Sequence, residues 1–244
     1  MTIARISGQA GGVTARSANN VSDSYGVNVT AGSLLTIIAV RGNYPTTADA
    51  AIVVGDLTKT AGTATIGAIS LDYQARELSG GFDANIGVFS CIVLTTGSAT
   101  FTLAGNVAGE MFASIGLEEH TGSWGASRVV GTNHAAGATG APSTGTVTTT
   151  ASALLIAGVV TSTGNVETHT QDSPWLLTYE EENGTTSLTC SLVSYVAPSA
   201  TTIEATWSAP TTIPGSTIIV AYQEAAPASS SSPGLIGTIF RRRG

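Results

Sequence analysis

Thr30-Ala31-Gly32-Ser33-Leu34-Leu35-Thr36-Ile37-Ile38-Ala39-Val40 has a counterpart in Thr150-Ala151-Ser152-Ala153-Leu154-Leu155-Ile156-Ala157-Gly158-Val159-Val160, 120 residues further on. In both stretches small and hydroxylated turn residues open onto a short apolar run, which reads as a strand. Two more pieces match. Ser98-Ala99-Thr100 corresponds to Ser199-Ala200-Thr201, and Ser114 to Glu119 resembles Thr217 to Glu224, at offsets of 101 to 103 residues. The order of the pieces is kept while the offset shrinks. The second half therefore has the plan of the first with shorter loops, and a duplication is the economical explanation.

Outward from these pieces, short β-branched or alternating runs recur between Gly, Asn, Ser and Pro from Thr2 to Glu224. That is the signature of a many-stranded antiparallel β-sandwich, jelly-roll-like and all-β, with no helix of ordinary length. The predicted strands include Ala50–Val54, Thr63–Tyr73, Glu110–His120 and Trp175–Tyr179. Residues 1–225 are expected to form a single sandwich with an internal repeat, in which each half contributes strands to both sheets. The halves fall at about 1–121 and 144–225. Residues 122–143 link them, although Trp124 and Val129-Val130 are residues that pack onto something. Residues 226–244 form a Ser/Pro linker and an apolar-basic tail.

Composition supports this plan. The 244 residues are 42% hydrophobic and only 10% charged, and they include 37 Thr, 26 Ser and 29 Gly, with a mean hydropathy of +0.27. Such a chain can bury a large core, and abundant Thr, Val and Ile suit a half-buried pleated surface rather than a helical bundle. Sixteen acids face nine bases, three of them Arg241, Arg242 and Arg243, so the preceding body carries about −10. An acidic body repels phosphate, which argues against nucleic-acid binding by the folded part. No apolar run approaches the roughly 20 residues that cross a bilayer, and the N-terminus lacks the apolar core of a secretory signal. The sequence therefore points to no membrane. Cys91 and Cys190 lack CxxC spacing and read as buried free thiols.

Candidate chemistry is sparse. Glu118-Glu119-His120, with His134 and His169, is the one imaginable metal or acid–base group, but it lacks HxH or HExxH spacing. Alternation sends Glu118 and His120 to the face opposite Glu119, and a solvated strand end accounts for all three. Glu180-Glu181-Glu182 before Asn183-Gly184 reads as a charged hairpin turn. Asp23, Asp49, Asp56 and Asp83 supply oxygen ligands without the spacing of a calcium loop. No nucleophile elbow or phosphate-binding glycine loop occurs. No catalytic residue, metal or cofactor is expected. Trp124, Trp175 and Trp207 offer a sugar-stacking platform if exposed, though Trp175 and Trp207 sit in apolar strands that favour core packing. In the tail, Leu235, Ile236, Ile239 and Phe240 lose solubility unless they dock. Arg241, Arg242 and Arg243 beside them suit an acidic partner surface. These seven residues are the expected partner-binding segment.

Val27-x-Val29-Thr30-Ala31-Gly32-Ser33-Leu34-Leu35, Thr148 to Val159 and the closing Ile218-Ile219-Val220-Ala221-Tyr222-Gln223-Glu224 resemble duplicated β-sandwich modules of tailed-bacteriophage virion proteins, among them decoration, fibre and tail components. The resemblance spans about residues 20 to 225 and rests on strand patterns. It implies a non-enzymatic structural protein of the virion, assembled in the host bacterial cytoplasm. Such a protein is a homo-oligomer in contact with capsid or tail subunits, its own tail docking onto a neighbouring subunit. The alternative is a carbohydrate-binding module or adhesin of β-sandwich type.

Overall fold

A computed structural model describes residues 3–10, 23–43, 50–79, 82–105, 110–136, 141–162, 168–183, 188–208 and 215–225. The first half contains β1 (Ala4–Ala10), β2 (Asp23–Val29), β3 (Leu34–Asn43), β4 (Leu57–Ala61), β5 (Ser70–Ser79), β6 (Phe82–Ile92), β7 (Gly97–Leu103) and β8 (Glu110–Thr121). The second contains β9 (Val129–Ala136), β10 (Val147–Thr148), β11 (Ala153–Ser162), β12 (Thr170–Gln171), β13 (Leu176–Asn183) and β14 (Leu188–Ala197). It closes with β15 (Thr202–Ile203), β16 (Trp207–Ser208) and β17 (Gly215–Tyr222). A single 3-10 turn, Val54–Asp56, is the only helical element among the described residues. The protein is all-β, and its strands pair antiparallel throughout.

Two five-stranded sheets dominate, in the orders β1-β8-β3-β6-β5 and β9-β17-β11-β14-β13. Position for position the orders agree, and so does the register. Leu34 pairs with Ile92 and His120, while Leu154 pairs with Val196 and Tyr222. The small sheets agree as well. In the first half β2-β7-β4 form one sheet. In the second, β10 pairs with β15 and β12 with β16, two short pieces standing where β7 is continuous.

These sheets stack in four layers. The two five-stranded sheets meet face to face over a shared core that includes Leu34, Ile38, Ile86, Phe112, Leu154, Ile156, Leu192 and Tyr222. The outer face of the first carries Leu35, Ile37, Phe89 and Ile115 against Val29, Leu57, Phe101 and Leu103 of its small sheet. The outer face of the second carries Leu155, Val159 and Ile219 against Val147 and Trp207. This layering explains the apolar runs quoted above: β3 and β11 are covered on both faces, so alternating residues enter two different cores.

The linkage of the halves differs from expectation. Each five-stranded sheet draws all its strands from one half, and residues 122–143 contain β9, an edge strand of the second sheet. Apolar runs say that a face is covered, not which half covers it. β4 and β12 were also missed, and Ala50–Val54 forms no strand. Thr63–Tyr73 becomes strand only from Ser70, at the start of β5.

Across the shared core β1 lies against β13 and β5 against β9, the two contacts that a twofold axis would interchange. At the centre stand Ile38 and Gly158, which occupy equivalent places in β3 and β11. A Cβ on Gly158 would lie 2.7 Å from the Ile38 Cδ1 and 2.9 Å from the Ile86 Cδ1. Gly158 is the hollow that receives Ile38. Replacing Gly158 by Val is expected to overpack this point and cost about 1–3 kcal/mol, read as a lower urea midpoint with an unchanged m-value.

Candidate functional site

Among the polar contacts that cross the apolar interface between the large sheets, which include Ser114 with Tyr179 and Tyr73 with His134, two clusters are built alike. One serine of each sheet faces inward from equivalent positions. Ser90 of β6 pairs with Thr36, and Ser194 of β14 pairs with Ile156. Beside each serine the edge strand bulges, between Leu71 and Tyr73 in β5 and between Leu177 and Tyr179 in β13. The bulged residues are Asp72 and Thr178. The opposite half completes each cluster with an arginine from its first strand region and with the residue facing Leu154 or Leu34, which is Tyr222 or His120.

In the first cluster, Arg128 donates from Nε and Nη2 to the Ser90 Oγ at 3.0 and 2.7 Å. Ser90 donates in turn to Asp72, and the Tyr222 hydroxyl donates to the Asp72 Oδ2 at 2.7 Å. Burial raises the Asp72 carboxyl above its ordinary value, against the pull of these donors and of Arg128. On the other face of β6, burial in the core beneath the small sheet pushes the Cys91 thiol up to about 12. Every member is bonded to another, and together they tie β5 and β6 to β9 and β17.

The second cluster has the same frame and different chemistry. Arg5 reaches across to the Thr178 Oγ1 at 3.2 Å. Thr178 offers no charge, and the carboxylate comes instead from Glu118, whose Oε1 accepts from the Ser194 Oγ at 2.8 Å and lies 3.2 Å from Arg5 Nη2. Burial raises Glu118 from its ordinary 4.5 to about 7, with Arg5 and Ser194 opposing the shift. His120, 3.5 Å away, is lowered to about 4 by burial and by Arg5, which keeps it neutral. Here several atoms have no hydrogen-bond partner: Arg5 Nε, Glu118 Oε2 and both ring nitrogens of His120. A cavity of about 110 Å³ adjoins them.

Glu118, Glu119 and His120 are thus not a solvated strand end. They are 1%, 2% and 0% exposed, because β8 is covered on both faces to its last turn. The alternation is as read: Glu118 and His120 face the second half, while the Glu119 Oε1 accepts from Thr30 N at 2.6 Å and Ser33 Oγ at 2.7 Å on the other side. His134 bonds the Tyr73 hydroxyl through Nδ1 at 2.7 Å. His169 is buried against Thr161, and burial lowers it to about 4. The three histidines do not converge. Asp23 accepts from Ile115 N, Asp56 pairs with Arg41 and Asp83 with Arg76, in separate places. No group of three or more His, Cys, Asp or Glu suited to a metal occurs among the described residues. Glu180 to Glu182 lie within β13, where the Glu180 Oε1 accepts from His169 N.

Trp175 and Trp207 are core residues, 6% and 0% exposed. Trp124 packs at the edge of the shared core, its Nε1 donating to His120 O at 3.4 Å. Cys91 and Cys190 are buried in different cores and form no disulfide with each other. Asp49 and the tail residues Leu235, Ile236, Ile239, Phe240, Arg241, Arg242 and Arg243 lie outside the described residues. The chain matches no family model, no curated protein and no solved structure.

Reading the sequence alone missed Arg5, Asp72, Ser90, Arg128, Thr178, Ser194 and Tyr222. One signal was present: Leu71-Asp72-Tyr73 and Leu177-Thr178-Tyr179 align once the halves are superposed strand by strand.

The pH dependence follows from these shifts. The native state holds the Glu118 proton between about 4.5 and 7, where the unfolded chain has released it, so this group stabilises most below 4.5 and loses that contribution as pH rises to 7. His120 and His169 act in the opposite sense, favouring the native state above 6.5 and weakening it on acidification toward 4. Comparison with Glu118→Gln isolates the carboxyl. Relative to that variant, the wild type is expected to lose about 3 kcal/mol between pH 4.5 and 7 in urea titrations.

Proposed function

We propose that the protein is a non-enzymatic structural component of a tailed-phage virion, a capsid decoration, head-fibre or tail protein that acts through contacts between subunits. The observation that carries this reading is the outward face of the small sheet β2-β7-β4. Across its three strands Ser24, Thr102 and Thr60 form a hydroxyl row, with Oγ···Oγ1 and Oγ1···Oγ1 distances of 2.8 and 2.9 Å. Thr148 and Thr202 repeat the pairing on the second half at 2.9 Å. Such a hydroxyl-lined surface suits a wet interface between subunits. The ionisable groups drawn into the seam, by contrast, are engaged in joining the two halves.

Further support comes from strand order. β1-β8-β3-β6 over β2-β7-β4 is the arrangement expected of a jelly-roll-like sandwich, and the matching plan of the second half supports a duplication. Ala225 N donates to Ser123 O at 2.7 Å, so the chain leaves the body from a fixed point. The apolar-basic segment Leu235 to Arg243 follows it and docks onto a neighbouring subunit. A carbohydrate-binding role gains no support from Trp175 and Trp207, which are spent in the core.

Two variants test this. Thr60→Asp with Thr102→Asp places carboxylates on the outward face. It is expected to leave the unfolding midpoint of the isolated chain nearly unchanged while weakening self-association at least ten-fold in sedimentation velocity. A chain ended at Ala225 is expected to lose occupancy in the assembled particle, as counted in images of the native assembly. Unchanged association in the first, or unchanged occupancy in the second, removes the corresponding part of the reading.

A further inference from the structure

The two polar clusters share a frame, and besides the different source of the carboxylate they differ in a phenol that the second lacks. At the first, Tyr222 fills the space between the sheets and its hydroxyl reaches Asp72 at 2.7 Å. At the equivalent position of the second stands the shorter His120, and beside it is a cavity of about 110 Å³. A single water needs roughly 10–15 Å³, so the space is several times larger than one water. Arg5, His120 and Ser194 bring polar groups to its lining, and Pro174, Leu176, Tyr195 and Val196 bring apolar surface, with Leu176 52% exposed.

We propose that this cavity binds a phenol ring, the group that Tyr222 supplies to the other cluster. Two residues of its lining, Arg5 and His120, carry the polar atoms that specify the ligand. Arg5 Nε–H is a donor with no hydrogen-bond partner, and the neutral His120 ring makes no hydrogen bond at either nitrogen, its nearest polar neighbour being the Glu118 Oε2 at 3.5 Å from Nε2, although the residue is wholly buried. Buried polar atoms left unpaired are costly. One hydroxyl oxygen answers both residues, accepting from Arg5 Nε–H and donating to the acceptor nitrogen of His120. A carboxylate accepts only and leaves that nitrogen unmet. The apolar walls and exposed Leu176 receive the ring. The phenol can be a free small molecule or the tyrosine of a polypeptide, and the chemistry recognised is the same.

The test titrates p-cresol into the full chain and follows the imidazole nitrogens of its three histidines by NMR. The expected result is a shift of one resonance, the one missing from the His120→Gln variant, with His134 and His169 unmoved. Toluene, which lacks the hydroxyl, is expected to bind at least ten-fold more weakly. His120→Tyr, which supplies the ring in place of the ligand, is expected to abolish p-cresol binding. N-acetyltyrosinamide binding as tightly as p-cresol supports a polypeptide source, and its exclusion while p-cresol binds supports a free phenol. An unmoved His120 resonance, toluene equal to p-cresol, or a folded His120→Tyr chain that still binds p-cresol overturns the proposal.

Discussion

Two five-stranded sheets that are apolar on both faces cannot exist alone in water. Each must be covered twice, and the rest of the molecule follows from that requirement. One face of each sheet is covered by a small sheet of its own half, the other by the large sheet of the opposite half. Burial of Leu, Ile, Val and Phe side chains contributes about 1.5–3 kcal/mol each, so the shared core commits the two halves to each other far more strongly than any single polar contact. Neither half is complete without its partner.

Against that background the two seam clusters give direction rather than bulk stability. Apolar faces fix alignment only through their shape, whereas an arginine bonded across the seam, Arg128 to Ser90 or Arg5 to Thr178, adds a directional constraint. Buried ion pairs of this kind add little net stability compared with well-packed apolar groups, but removing one partner strands the other and costs several kcal/mol. Arg128, 8% exposed, holds Ser90 of the opposite half and Arg5 holds Thr178, so each half pins the other. The carboxylate stands on an edge strand in the first cluster, as Asp72, and on the facing half in the second, as Glu118, where it joins Ser194 to Arg5 in place of the direct Arg128–Ser90 bond.

Much of this architecture was legible in the residues. Turn chemistry before Leu34 and Leu154, and the apolar runs after them, located the central strands β3 and β11 because those strands are buried on both sides. The alternation through Glu118, Glu119 and His120 gave their facing correctly. Their burial was not legible, since polarity at a strand end looks the same whether water or another sheet lies beyond it. β9 was hidden in a Gly- and Ala-rich stretch, its strand character coming from pairing with β17 rather than from its own residues. The clusters escaped notice for a related reason: Asp72, Ser90, Arg128 and Tyr222 are spread over 150 positions and become neighbours only when the halves are laid on each other.

The Ile38–Gly158 contact sets a rule for which halves can pair. Two copies of the first half would bring a branched side chain against its own image, and two copies of the second would leave a void where neither contributes a side chain. Only the unlike combination fills the middle of the seam without collision. The bump and its socket therefore act as a mating key that disfavours the joining of two like halves.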